Sequence, residues 1–275
     1  MDALVSRPQV YWRVRGGGPR TLVLVNGYSA SAIAWPQEWI RSLAEDLRVI
    51  TLDNRGSGWS RLAETPFTIV EMAADVLDVL DDAEIASAVV MGISMGGMIA
   101  QQVALAAPER VEALALVATR PPVPRFTQPA ASSVLALTRP VLPGESFRTY
   151  MRRLWSAAAA PGFAERHPEV IEELIEQTIE RPTPRGLLLQ QLRAMSGWGH
   201  AERLTALRMP TTIVHGEQDR FAPIANAESL HELIPGANLL RLDGIGHLVP
   251  YEAPEILREQ LLGLVAESAP RDADG

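Results

Sequence analysis

Three residues in this chain have the types and surroundings that nucleophilic catalysis needs. Ser94 lies in Gly92-Ile93-Ser94-Met95-Gly96, which follows the apolar run Val89-Val90-Met91 and precedes an apolar helical pattern reaching Leu105. That context is a strand, a sharp turn and a helix, with the serine on the turn and its hydroxyl pushed out of the sheet. Gly92 and Gly96 stand two residues to either side of it, where a side chain would collide as the turn closes. The turn also aims the first N–H groups of the helix at whatever the serine attacks. A serine hydroxyl is a weak nucleophile near neutral pH, so it needs an adjacent base, and the base needs an orienting acid.

Two loops supply candidates. His247 ends Asp243-Gly244-Ile245-Gly246-His247, where glycines let a ring reach inward, and Asp219 lies in His215-Gly216-Glu217-Gln218-Asp219-Arg220. Each loop follows a predicted strand, Asn238 to Leu242 and Thr211 to Val214 respectively. Taken singly, the three features are a glycine-rich turn, a turn aspartate and a surface histidine. Their joint placement at strand ends makes them nucleophile, acid and base, with Ser94, Asp219 and His247 as the triad. Glu217 is the reserve acid, and His215 is read as a structural loop residue. An oxyanion hole then needs two backbone N–H groups. One belongs to Met95, after the serine, and the other to Tyr28 in Asn26-Gly27-Tyr28, where Gly27 leaves room for close approach.

Such residues must be carried by a scaffold, and the apolar pattern describes one. Gln9 to Arg15 alternates like a strand, and Gly16-Gly17-Gly18-Pro19 reads as a hairpin turn rather than a phosphate loop, since no helix and no Gly-Lys-Ser/Thr follow. Thr21 to Val25 is a buried strand, Trp35 to Leu47 a helix and Arg48 to Leu52 a strand. Thr68-Ile69-Val70-Glu71 is a capping box that opens a helix to Asp82. Val111 to Val117 is a further buried strand. Strand–helix alternation of this kind implies a parallel sheet covered on both faces. The rhythm stops between Arg120 and Arg208, where helices are expected over Ser146 to Ala157, Pro168 to Glu180 and Arg185 to Met195. It resumes with Ala225 to Leu233 and a closing helix from Pro254 to Val265, before a frayed polar tail at Arg271 to Gly275. The expected division is an α/β core over 1–119 and 209–275, with a helical cap over 120–208.

Composition narrows the chemistry. The chain has 275 residues, 47% of them hydrophobic and 21% charged, which suits a soluble globular protein with a sizeable core. A formal net charge of −8 argues against a partner with a phosphate backbone, so no nucleic acid is expected. The absence of Cys excludes disulfides, thiol catalysis and Cys-ligated zinc, and the absence of Lys excludes a Schiff base. No His-x-x-x-His or His-Glu-x-x-His pair occurs, so no metal is expected, and acyl transfer through a serine requires no other cofactor. Met1 to Arg7 has no basic region followed by an apolar run, and no apolar stretch nears a membrane span. A cytoplasmic protein with a small-molecule partner and no membrane partner is expected, and homo-oligomerisation stays open.

On these motifs the chain resembles the α/β-hydrolase fold superfamily. The matching stretches are Asn26-Gly27-Tyr28, Asp53-Asn54-Arg55-Gly56-Ser57-Gly58-Trp59-Ser60, Gly92 to Gly97, Gly216 to Asp219 and Gly244 to His247. The order Ser94, Asp219, His247 is the chain order of that superfamily. Within it, Gly92 to Gly97 and Ala107-Pro108-Glu109-Arg110-Val111 look most similar to small esterases and lactonases, such as 3-oxoadipate enol-lactonase and aclacinomycin-type methylesterases. The resemblance implies a serine hydrolase acting on an ester or lactone of a small, largely apolar substrate. The alternatives are the same triad in a lyase, cyclase, acyltransferase or perhydrolase, and a non-catalytic binding protein. Family members usually carry His-Gly where this chain has Asn26-Gly27; a backbone donor survives that change, while its polar surroundings differ. Asp53 and Arg55 are read as loop stabilisers. In the helical segment Trp155 and Trp198 are the pocket candidates, among aromatics that more often serve packing. Arg120 and Arg125 could meet a substrate carboxylate, although solvated surface arginines are the preferred reading.

Overall fold

The computed structural model describes residues 10–60 and 66–268. Met1 to Gln9 and the tail Arg271 to Gly275 lie outside the described residues. Among the described residues, seven strands form one sheet: β1 (Trp12–Arg15), β2 (Thr21–Val25), β3 (Arg48–Leu52), β4 (Ala88–Ile93), β5 (Val111–Val117), β6 (Thr211–Gly216) and β7 (Asn238–Leu242). Their order across the sheet is β1-β3-β2-β4-β5-β6-β7. The β1–β3 pair is antiparallel and every other pair is parallel.

The expected hairpin after β1 is therefore wrong, because β1 pairs with β3 and not with β2. The reason is burial. β2, buried at all five residues, lies inside the sheet between β3 and β4, while β1, with two exposed residues and none fully buried, takes the edge beyond β3. The glycine run instead lets the chain pass under the end of the first helix. A Cβ at Gly16 would lie 2.2 Å from the Leu47 carbonyl oxygen, and one at Gly18 would lie 2.1 Å from that of Asp46.

Alternation along each strand sorts side chains to two faces. Val23, Val25, Val90, Leu114 and Leu116 pack with Met72, Val76 and Val79 of α2 (Ile69–Asp82) and Ile99 and Val103 of α3 (Met95–Ala106). Leu22, Leu24, Val89, Met91 and Val117 pack on the other face. There they meet Trp39, Ile40 and Leu43 of α1 (Gln37–Ala44) and Leu257, Leu261 and Leu264 of the closing helix, Pro254–Glu267. The first helix is shorter than the Trp35-to-Leu47 pattern suggested, because Ala32–Ala34 forms a separate 3₁₀ turn before Pro36. The capping box at Thr68 is present: its hydroxyl accepts from the Glu71 N–H, and Glu71 accepts from the Thr68 N–H.

Between β5 and β6 the chain forms α4 (Ala131–Thr138), α5 (Phe147–Ala158), α6 (Phe163–Arg166), α7 (Pro168–Glu180) and α8 (Arg185–Ser196). The sequence pattern foresaw α5, α7 and α8; α4 and α6 are additions. Met151, Leu154, Ile171 and Ile175 make a small core of this insertion, and Phe163 and Leu174 pack onto Leu248 of the sheet domain. After β6 come α9 (Ala225–Leu233) and, past β7, α10 (Val249–Glu252) and α11 (Pro254–Glu267). Among the described residues, no helix is long and apolar enough to cross a membrane.

Because β2 to β7 run parallel, the loops after them gather at one edge of the sheet. The β3 loop is fastened there by its own charges. Asp53 accepts from the Ala32 N–H at 2.6 Å and the Trp59 N–H at 2.8 Å. Arg55 grips the buried carboxylate of Asp75 on α2 with two contacts of 2.6 Å. Replacing only one partner leaves the other charge buried and unpaired. Asp75→Ala should therefore lower the unfolding free energy by about 3 kcal/mol in urea denaturation; a loss below about 0.5 kcal/mol would show that the pair is solvated.

Candidate active site

The serine turn explains itself residue by residue. Ser94 has φ +56° and ψ −120°, a region that L-residues rarely occupy and that costs about 1–3 kcal/mol. A Cβ at Gly92 would fall 2.1 Å from the Gly96 carbonyl oxygen, and one at Gly96 would fall 2.0 Å from that of Val25. The turn closes only because both are glycine. It is held by the Ser94 N–H donating to Val117 O at 3.0 Å, by the Gly97 N–H donating to Ser94 O at 3.0 Å, and by the Thr119 hydroxyl donating to Ser94 O at 2.6 Å. Thr119 was not foreseen. Its place two residues beyond β5, a strand paired in parallel with β4, sets it beside the turn.

The loop after β2 closes against the same turn. A Cβ on Gly27 would lie 3.2 Å from Ser94 Cβ and 3.7 Å from its Oγ, so this backbone already touches the serine. Among the described residues, no acceptor takes the N–H of Tyr28 or of Met95. Burial, with a smaller push from Tyr150, raises the Tyr28 phenol to about 12, so its side chain stays neutral. Asn26 is buried; its backbone carbonyl accepts from Asn54 Nδ2 at 2.8 Å, while its own Nδ2 has no partner among the described residues.

Asp219 and His247 meet directly, with 2.7 Å between Asp219 Oδ2 and His247 Nδ1. The other carboxylate oxygen accepts the N–H groups of Phe221 and Ala222, each at 2.8 Å. Asp219 is thus fixed from both sides, and His247 donates from Nδ1, leaving Nε2 as the free ring nitrogen. Burial works to lower the His247 pKa, but the charge and hydrogen bond of Asp219, with the charge of Glu252, outweigh it and raise it above the ordinary value.

Glu252 was invisible as a partner in the sequence. Its carboxylate accepts the N–H groups of Gly246, Leu248 and Ala160, all at 2.9 Å, so it clasps both flanks of His247 together with the end of α5. The His247 N–H donates to Ala158 O at 2.9 Å. Gln191, on α8, makes a second such link. It accepts from the Ser29 N–H at 3.0 Å and donates to Ser57 Oγ at 3.0 Å, tying the insertion to the loops after β2 and β3.

One cavity of about 610 Å³ is lined by Ser94, His247, Tyr28 and Met95, with Trp155 from the insertion. Trp198 does not line it. It is buried in the main core, and its Nε1 donates to Gln102 Oε1 at 3.3 Å, so its assignment to a pocket is wrong. Its spacing could not distinguish a ring facing α3 from one facing the cavity. His215 also needs correction: it belongs to β6 rather than to a loop. Its Nε2 lies 2.6 Å from Ala222 O and 3.5 Å from Asp219, and burial pushes its pKa down, so it supports the Asp219 loop as a neutral ring. Glu217 pairs with Arg241 on the surface and does not touch His247. Arg125 pairs with Glu232, both exposed, whereas Arg120 turns into the cavity wall against the Phe126 ring.

Comparisons with known proteins agree with this architecture. The profile of the alpha/beta hydrolase fold family matches residues 20–254. A pimeloyl-(acyl-carrier protein) methyl ester esterase of Vibrio campbellii is 32% identical over 82% of this chain and 86% of its own length. The rhodomycin D methylesterase DnrP of Streptomyces peucetius is 28% identical, over 86% of this chain and 87% of its own. Among solved structures, the enol-lactonase of Burkholderia xenovorans LB400 has a TM-score of 0.79 at 22% identity, covering 94% of this chain and 96% of that one, a likeness of fold. The chain therefore belongs to the α/β-hydrolase fold family of enzymes.

Proposed function

We propose that this chain is a serine hydrolase that cleaves a carboxylic ester or lactone of a small, largely apolar substrate through an acyl-enzyme on Ser94. The observation that carries the reading is the His247–Asp219 pair, 2.7 Å apart, opening with Ser94 onto one cavity. The neutral Nε2 of His247 takes the Ser94 proton as Oγ bonds to the carbonyl carbon. Negative charge then develops on the carbonyl oxygen, where the N–H groups of Met95 and Tyr28 stabilise it. The carbonyl re-forms, the C–O bond to the alcohol breaks, and His247 gives that alcohol its proton. Water, deprotonated by His247, repeats the sequence on the acyl-enzyme and releases the acid and Ser94. The helical insertion, taken as a cap over 120–208 on a core of 1–119 and 209–275, covers the strand ends and sets the substrate. The methyl ester esterase and methylesterase relatives support a small ester as that substrate.

A panel of methyl esters, acyl esters and lactones with product analysis tests this reading. Ser94→Ala should lower kcat on the preferred ester by a factor on the order of 10⁶. Turnover surviving in Ser94→Ala, or a product other than the acid and alcohol, would contradict it and favour a non-hydrolytic use of the fold.

The protonation of His247 sets the pH dependence. As the base it must be neutral, and its pKa is raised, so activity is lost as pH falls through a value above the ordinary 6.5. The acidic limb of kcat/KM should lie above that value. Asp219→Asn removes the charge that raises it, so the limb should move to lower pH while kcat falls by about 10⁴. An unmoved limb would show that another group titrates.

A further inference from the structure

Among the described residues lining the cavity, Arg120 carries the only permanent charge, and no Asp or Glu is among them. The chain as a whole carries −8, yet the one permanently charged side chain at this cavity is a cation. Arg120 has no carboxylate partner among the described residues. Its Nη1 donates to Pro121 O at 2.9 Å, its Nη2 donates to Met195 O at 2.6 Å, and its face lies 4.2 Å from the centre of the Phe126 ring. A guanidinium has five N–H donors, and the two carbonyl contacts leave a fork able to meet a planar anion. Burial alone pushes its pKa down, to about 10, so it remains a cation near neutral pH without a counter-ion. A desolvated cation without a counter-charge is costly, and a ligand anion would remove that cost.

Its place relative to the serine is fixed. Thr119, the preceding residue, donates to Ser94 O. Gln101 of α3 donates from Nε2 to both Gly97 O and Arg120 O at 3.0 Å, pinning the Arg120 backbone to the helix that begins after Ser94. Arg125, the other arginine of this segment, is already paired outside the cavity.

We propose that Arg120 is a carboxylate-binding subsite of the Ser94 cavity, so that the substrate is an ester or lactone with an apolar body and a carboxylate remote from the scissile carbonyl. The inference rests on the serine-hydrolase reading for its scissile bond, but the subsite itself is measurable without turnover.

The probes are the monomethyl esters of straight-chain dicarboxylic acids from succinate to sebacate, each paired with the methyl ester of the monocarboxylic acid of equal length. Calorimetric titration into Ser94→Ala protein should show at least one length at which the half-ester binds about tenfold or more tightly than its neutral partner. Adding Arg120→Met should weaken that half-ester at least tenfold more than the neutral ester, and Arg120→Lys should restore part of the difference. If no length favours the acid, the subsite is refuted. The same holds if Arg120→Met weakens both ligands alike, as a brace on the Met195 carbonyl would, or if Arg120→Lys restores both alike. The hydrolase reading is judged separately, by turnover of the same esters with unaltered protein. Arg120-dependent binding with no hydrolysis would overturn that reading and leave the subsite, whereas equal hydrolysis of both series with equal binding would do the reverse.

Discussion

The site depends on one backbone conformation, the positive φ of Ser94. Forcing a serine there stores strain, so its neighbours must supply what holds it. Gly92 and Gly96 remove the atoms that would collide, and the Ser94 N–H and carbonyl are tied to Val117, Gly97 and Thr119. Those partners come from β5, the residues just after it, and α3, and the parallel register of the sheet sets β5 beside the turn. The strain is thus balanced by the sheet together with the turn's own glycines, which keeps the hydroxyl on a rigid base at the strand ends.

A second constraint joins His247 to the insertion. Glu252 holds the backbone on both sides of His247 and reaches Ala160, and the His247 N–H reaches Ala158. No side chain fits between these segments, since a Cβ on Gly246 would lie 2.4 Å from the Ala160 nitrogen. Gln191 fastens the opposite side of the insertion to the loops after β2 and β3. The walls of the cavity and the residues at its floor are therefore mechanically one unit. A substrate that moved the insertion would move the His247 loop as well.

The parts legible in the sequence were those encoded locally. The strand–turn–helix at Ser94 was readable from glycine spacing, α7 from its apolar period, and the Thr68 cap from four residues. The order of Asp219 and His247 after successive strands was enough to place them on one sheet edge. What was missed depends on packing and on contacts that no local pattern records. Strand order placed β3 between β1 and β2, which no local pattern records. Nothing in the sequence marked Glu252, because its three partners are backbone N–H groups, which carry no residue signature. Trp198 and Arg120 were assigned by type, yet the tryptophan turned into the core and the arginine into the cavity, because orientation follows from packing against α3 and Phe126.

The central claim is that Ser94 is a nucleophile activated by His247. The most direct measurement is peptide mapping by mass spectrometry after treatment with a serine-reactive phosphonate. The account predicts a single adduct on the peptide carrying Ser94, absent from Ser94→Ala protein and much slower to form in His247→Ala protein. An adduct that forms at the same rate without His247, or that appears on another residue while Ser94 stays unmodified, would contradict it.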